Sequence, residues 1–367
     1  MKVVYPSIKV RRTRYKRIGQ PETLHFPALL SPDSESSVDC DHFNQRTIVT
    51  KTPFVTIIRN GRVCGNHSFV FTPSYKLVQD LSFHFDGSHL HPISKVQAIQ
   101  NYKSNSSRIY SKNVAVLTFC SSNNYFHWLF DVLPRLKLLR RSGFRIDKYF
   151  MNCDRTAPYQ AETLGILGIP PSKIINNKSN IQAKQLIVPS MVNDYFINPD
   201  TYVRPHYIAN WVCKYLRSTF MSPAQLIQKL KDKLIYISRE NAAYRRVVNE
   251  DEVIQFLSAY GFQKYHLETM TISEQVELFS RAKVVIAPHG AGLANLVFCN
   301  PGTKVVEIFS TIYIPEYYWM ISTYNQLEYY YLINSMHDHV PILDIQVDIN
   351  RLKELIQKAG ILPLEGH

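Results

Sequence analysis

Four short segments of this chain place chemically useful residue types at usable spacings. Pro288-His289-Gly290-Ala291-Gly292-Leu293-Ala294-Asn295 follows the apolar run Val284–Ala287 and opens a short helical pattern around 292–298. Small residues in such a turn let backbone amides come close to a ligand. The helix start adds unpaired N–H groups and a positive dipole, which suits a diphosphate. The segment departs from the dinucleotide fingerprint, because Asn295 stands where a third glycine would be.

The second segment holds Ser238-Arg239, Arg245-Arg246 and Asn249-Glu250. Ser238 and Arg239 fall at the carboxyl end of a predicted strand, the edge at which open α/β sheets take their ligands. The arginines precede a helix whose expected cap is Asn249, with Glu250 and Asp251 in its first turn. Arginine binds phosphate through charge-assisted, often bidentate hydrogen bonds. Glu307, expected near the end of a strand beside the glycine turn, is the third candidate: its carboxylate could accept from both hydroxyls of a ribose.

The fourth runs from Asn123 to Arg135. His127 and Asp131 are four apart and share a helix face, and Arg135 continues the stripe. That polar stripe is expected to point away from the helix's packing surface, with Asn124 beside it. A histidine with a carboxylate partner is a usable general base near neutral pH. Each segment also has a structural reading: a tight turn, a basic loop before a capped helix, a solvent-facing strand-end glutamate, a helix-surface ion pair. Asp39-Cys40-Asp41 and His337-Asp338-His339 resemble metal ligands only superficially. The first lies in an irregular stretch, and three adjacent residues of a strand cannot all face one point. No metal site is expected.

The elements that must position these groups read as α/β. Asn60-Gly61 between the β-like runs 54–59 and 63–71 predicts a hairpin. Residues 113–119 predict a buried strand, and 124–141 a helix that Pro134 should kink or break. Further strands are expected at 148–152, 173–176 and 185–189, and a helix over 200–220. From 234 the pattern is regular: strands at 234–238, 262–267, 284–287, 304–309 and 329–333 alternate with helices at 249–260, 272–282 and 292–298, and a last helix spans 350–359. Such alternation implies a parallel sheet with right-handed crossovers. The expected division is 1–199, an α/β lobe with an irregular basic arm, and 200–367, a Rossmann-like nucleotide lobe whose last helix packs back on the first.

The 367 residues suit roughly two domains of about 150 each. With 45% hydrophobic and 19% charged residues the composition is globular, which excludes a mostly disordered chain. A net charge of +13 requires basic patches and suits phosphates, nucleic acid or an anionic membrane. The run Val10–Arg17 reads as a solvated arm or a lipid contact. Cys40, Cys64, Cys120, Cys153, Cys213 and Cys299 are scattered without a CxxC, so reduced thiols are expected. The sequons at Asn66, Asn105 and Asn177 carry little weight. No leader and no spanning apolar run is visible, so the expectation is a cytoplasmic protein, with peripheral membrane contact. Around Tyr317, Tyr318 and Trp319, stacking on sugar rings competes with core packing.

NYFHWLFDVLPRL, YISRENAAYRRVVNEDEV and SEQVELFSRAKVVIAPHGAGLANLVFCNPGTKVVEIF resemble glycosyltransferase family 61, over roughly residues 113–310. The resemblance implies a GT-B-like fold, two Rossmann-like lobes facing across a cleft, and an inverting transfer from a nucleotide-sugar, mostly UDP-linked. It implies no cofactor beyond that co-substrate. Arg239, Arg245 or Arg246 and the amides around Gly290, Ala291 and Gly292 would hold the diphosphate, with Ser238, Asn249, Glu250, His289 and Asn295 about it and Glu307 on the ribose. His127 and Asp131 would face the acceptor, a glycan or lipid-linked glycan of cell-surface polysaccharide such as capsule. No nucleic acid is expected. The alternatives are a dinucleotide-dependent enzyme and a basic polyanion- or membrane-binding module.

Overall fold

A computed structural model describes residues 13–29, 41–64, 69–78, 81–85, 90–92, 107–119, 121–154, 157–176, 180–196, 204–334 and 343–364. The fold is mixed α/β, with two principal sheets rich in parallel strands, consistent with two Rossmann-like units. The chain divides into two compact units. One comprises Met1–Thr23 and Val49–Tyr215, the other Leu24–Ile48 and Leu216–His367. The main junction thus falls at Tyr215 rather than near 200, and an N-terminal segment belongs with the C-terminal half. The Asp39-Cys40 and His337-Asp338-His339 triplet positions and the three sequons lie outside the described residues, as does the basic run before Thr13.

In the first unit the strands Thr13–Arg17, Phe54–Arg59, Asn180–Pro189, Ser107–Val116, Lys148–Met151 and Ile174–Asn176 lie side by side in that order. The last four are mutually parallel, and Phe54–Arg59 runs antiparallel to both of its neighbours. Ile58, Val63, Val114, Val116, Phe150, Ile181, Leu186 and Val188 fill the core on one face. The basic run is therefore not an irregular arm throughout: Thr13–Arg17 is an edge strand, with Arg14, Lys16 and Arg17 exposed. Charged side chains on an edge discourage pairing with another chain.

Asn60-Gly61 is not a hairpin. The strands on either side, Phe54–Arg59 and Arg62–Cys64, both pair with Asn180–Pro189 in one unbroken register, Arg59 opposite Gln185 and Arg62 opposite Gln182. Asn60 adopts φ 51°, the left-handed region that asparagine tolerates. A β-carbon on Gly61 would meet those of Ile58 and Leu186 at 2.9 Å. The dipeptide bends a continuous strand, and the true reversal comes later, where Arg62–Cys64 pairs antiparallel with Phe69–Phe71. The helix expected over 200–220 is shorter. Pro205 lies in a strand, Arg204–Tyr207, paired with Asp194–Phe196, and the helix runs Asn210–Phe220.

The second unit has a five-stranded, wholly parallel sheet in the order Gln263–Tyr265, Lys233–Ile237, Ala282–Pro288, Lys304–Ser310, Glu328–Asn334. Period-two alternation sends Tyr236, Val284, Ile286, Val306, Ile308 and Leu332 to one face. There they pack with Val253 and Leu257 of the helix Glu250–Ser258 and with Leu352, Leu355 and Ile356 of the helix Ile349–Lys358. The last helix thus packs into this unit's own core. The opposite face carries an unanticipated helix, Tyr317–Tyr324, and side chains from the described stretches 24–29 and 41–48. Phe43 stacks among Phe309, Trp319, Tyr329 and Tyr331, and Phe26 lies against Trp319 and Tyr324. Trp319 is therefore core. Among the described residues no helix is long and apolar enough to cross a membrane.

Candidate active site

The strand order of the second unit, numbered along that unit, is 2-1-3-4-5. Its chain path reverses direction between the first and third strands, and in such sheets the crevice at their carboxyl ends takes the ligand. Lys233–Ile237 leads there to Ser238-Arg239, and Ala282–Pro288 leads to His289-Gly290. Local chemistry builds the site around Arg239. Its Nε donates to the Arg245 carbonyl at 3.2 Å and its Nη2 to the Tyr244 carbonyl at 2.9 Å. Arg245 adopts φ 59°, and its guanidinium lies between the rings of Tyr244 and Tyr313, 5.0 and 5.3 Å from their centroids. A non-glycine residue held in that region is strain that a surrounding structure must maintain. Burial, and then the charge of Arg245, lowers the Arg239 pKa to about 10. Among the described residues no carboxylate forms an ion pair with either guanidinium. Two guanidiniums held together with no carboxylate ion pair among the described residues are suited to an anion.

The glycine turn is built to admit these arginines. Gly290 packs directly under the Arg239 guanidinium, its carbonyl accepts from the Tyr318 hydroxyl at 2.6 Å, and the helix Ala291–Phe298 starts after it. The Leu293 N–H closes that tight first turn on the Gly290 carbonyl at 3.1 Å, so the amides ahead of the first helical bond are those of Ala291 and Gly292. A β-carbon on Gly292 would lie 3.0 Å from Leu267, so this position also excludes bulk. Asn295 is fully buried and ties the turn to Gln275 at 2.7 Å and to the Gly292 carbonyl at 3.1 Å. It braces the turn from behind.

Other candidates are taken up by the protein. Arg246 is engaged by the Asp344 carboxylate through Nε at 3.0 Å and Nη2 at 2.8 Å. Asn249 precedes its helix as expected, but its side chain does not cap it; it exchanges hydrogen bonds with the backbone of Val347. Glu250 is buried and gathers Tyr236, Ser238 and Lys264 on its carboxylate. Ser238 and Glu250 thus fix the strand end under Arg239.

Glu307 corrects the sequence reading most sharply. It is mid-strand, in the register Ala287–Glu307–Tyr331, and wholly buried. One carboxylate oxygen meets His289 Nδ1 and the other accepts from the Tyr329 hydroxyl. Neither a ribose nor solvent reaches it. Burial holds Glu307 protonated, well above the usual carboxylate range. Burial, with Arg245 and Arg239 nearby, keeps His289 neutral. A protonated Glu307 donating to Nδ1 leaves the His289 proton on Nε2. The ring is packed by Phe309, Tyr313 and Tyr318. Tyr244 and Tyr313 are residues of the site that the sequence reading did not single out, whereas Tyr318, named there for stacking on sugar, packs on the His289 ring and holds the Gly290 carbonyl.

The first unit holds the His127 segment. Asn124 caps it, Oδ1 accepting from the backbone N–H of Phe126 at 2.9 Å and of His127 at 3.4 Å. The expected interruption at Pro134 takes the form of a widened π-turn, Trp128–Val132, in which the Leu133 N–H reaches back to Trp128. π-turns recur at functional sites. His127 Nδ1 lies 2.7 Å from Asp131 Oδ2, with the imidazole partly exposed and the carboxylate fully buried. The stripe therefore does not point outward as expected. Arg135 is also buried, and its guanidinium donates to the carbonyls of Thr118, Val116 and Pro189 at 3.0, 3.1 and 3.4 Å. It clamps the ends of two neighbouring strands and does not face an acceptor. Burial lowers its pKa to about 10, opposed by the Asp131 charge.

A glycine turn on a 2-1-3-4-5 sheet is joined in sequence to a histidine–carboxylate helix. The family model Glycosyltransferase 61 matches residues 125–306, and the chain belongs to glycosyltransferase family 61. It is 31% identical over 143 residues to a beta-1,2-xylosyltransferase of Oryza sativa subsp. japonica, a match covering 37% of this chain and 26% of that protein. A beta-1,2-xylosyltransferase of Arabidopsis thaliana is 25% identical over 150 residues, 37% of this chain and 27% of that protein. The EGF domain-specific O-linked N-acetylglucosamine transferase of Drosophila melanogaster is 31% identical over 83 residues, 22% of this chain and 16% of that protein. The matched segments span about a quarter or less of these relatives.

Proposed function

We propose that this chain is an inverting glycosyltransferase of the GT-B class that uses a nucleoside-diphosphate sugar, UDP-linked, and needs no metal. The observation that carries the reading is the pair Arg239 and Arg245, held at the switch point of the sheet with no carboxylate ion pair among the described residues. The names of the relatives, for xylose and N-acetylglucosamine transfer, agree with a sugar donor. In this reading Arg239 and Arg245 hold the donor and His127 is the base. His127 Nε2 takes the proton of the acceptor hydroxyl as its oxygen bonds to the anomeric carbon. The bond from that carbon to the diphosphate oxygen breaks on the opposite face, and its electrons leave with the diphosphate. Arg239, Arg245 and the amides after Gly290 stabilise that developing charge. We assign the acceptor to a glycan or lipid-linked glycan of cell-surface polysaccharide made at the cytoplasmic face. The exposed basic edge Arg14, Lys16 and Arg17 supports contact with anionic lipid.

Thermal shift with UDP, GDP, TDP, CMP and NAD, each with and without EDTA, tests this. Stabilisation by one nucleoside diphosphate, unchanged by EDTA and lost in Arg239→Ala, is the expected result. Stabilisation by NAD alone would replace the reading with a dinucleotide enzyme, and no nucleotide response, with salt-sensitive binding to polyanions, would replace it with a basic binding module.

A further inference from the structure

We infer that Asn193 is a positioning residue for the general base, fixing the Asp131 carboxylate and through it the tautomer of His127. This rests on the reading of His127 as the base.

The arrangement originates at Pro134. A proline has no N–H, so the Phe130 carbonyl four residues earlier lacks its helical donor. Asn193, remote in sequence, supplies one: Nδ2 donates to the Phe130 carbonyl at 2.9 Å and, with its other hydrogen, to Asp131 Oδ1 at 3.0 Å. The amide cannot be turned round. Its Oδ1 accepts from the backbone N–H of Ala209 at 3.1 Å, and an N–H can only donate. The side chain is buried and both ends are engaged, so the Asp131 carboxylate is held at Oδ1 by a rigid donor. Oδ2 then meets His127 Nδ1 at 2.7 Å. Because an ionised carboxylate can only accept, Nδ1 carries the proton and Nε2 the lone pair. The nearby cation, Arg135, is tied to backbone carbonyls. The break that Pro134 forces in the helix is thereby used to aim a base.

The experiment reads the tautomer directly, by long-range ¹H–¹⁵N spectra of the His127 ring in the wild type, Asn193→Ala and Asn193→Ser. The serine hydroxyl can still hold one of the freed groups, so it provides a folded variant should the alanine fail to fold. Melting temperature is recorded alongside. The expected result is a single Nδ1–H tautomer in the wild type and averaged ring-nitrogen signals in the variants. UDP-sugar turnover should fall about 10- to 100-fold in kcat with donor KM unchanged. A folded variant that keeps the wild-type tautomer overturns the inference, even if its melting temperature drops, because a bracing role alone would move only stability. His127→Ala is run in parallel. If it retains full kcat, the base assignment fails, and does so independently of the ring spectra.

Discussion

The guanidinium of Arg239 occupies the space that a side chain on Gly290 would need: a β-carbon there would lie 2.1 Å from Nη1 and 2.8 Å from Cζ. Gly290 sits at φ −178°, a conformation open to any residue, so the arginine and not the backbone demands glycine. Gly290→Ala should leave the fold intact while pushing Arg239 aside. Loss of a charged hydrogen-bond partner is worth about 1.5–3 kcal/mol, so UDP should bind roughly 10- to 100-fold more weakly by calorimetry. Arg239→Ala should lose a similar amount, and the double variant little more, because both remove one interaction. Additive losses would mean that the two positions act separately.

The adjacent arginines should separate cleanly. Arg245→Ala should weaken UDP binding with little change in melting temperature. Arg246→Ala leaves the buried Asp344 carboxylate without its bidentate partner. Because Arg246 is itself partly exposed, the expected loss is about 1–3 kcal/mol of stability by urea denaturation, with UDP affinity retained. The reverse pattern would exchange their roles.

The His289–Glu307 pair predicts a pH dependence. Folded, the pair keeps the Glu307 proton as well as the imidazole proton. Unfolded, Glu307 would ionise above its ordinary 4.5 and His289 would charge below its ordinary 6.5. Glu307, raised in the fold, loses stabilisation as pH climbs; His289, lowered in the fold, loses it as pH drops. Between 4.5 and 6.5 the two proton counts cancel. Above 6.5 the unfolded chain binds one proton fewer than the pair, so stability falls, by up to about 1.4 kcal/mol per pH unit. Glu307→Gln should flatten this slope in calorimetric scans from about pH 6.5 to 8.5. Parallel slopes for both proteins would exclude it.

Arg135→Met should destabilise without touching nucleotide affinity. It strips donors from three buried strand-end carbonyls, and unsatisfied buried groups cost about 1–3 kcal/mol each. A drop of several degrees in melting temperature with unchanged UDP binding is expected. A stable variant with altered acceptor KM would instead place Arg135 at the acceptor.

What the sequence disclosed was largely local. The regular alternation after residue 234 gave the parallel sheet, and the glycine turn and Ser238-Arg239 were correctly set at strand ends, because short strands followed by capped helices have strong local signals. The break at Pro134 was legible for the same reason. Asn60-Gly61 misled because a left-handed asparagine serves a bent strand as well as a hairpin; only the partner strand, some 120 residues on, decides between them. Glu307 misled because alternation shows which face a residue takes but not what covers that face. Its cover comes from Tyr329 on the next strand and from His289 just past the end of the strand on the other side. Asn193 gave no signal, since its role depends on a carbonyl left open by a proline far away in the chain.

The placement of Phe26 and Phe43 has a consequence for biosynthesis. Both are buried against Trp319, about 280 residues later in the chain. At ribosomal rates of about 5–20 residues per second, these rings wait roughly 15–60 s after emerging before their partner exists. Throughout that interval two neighbouring aromatic anchors are exposed on a nascent chain, where a chaperone can hold them or a second nascent chain can capture them. Yield at elevated temperature should therefore depend on the cell's folding helpers more than the stability of the finished protein would suggest.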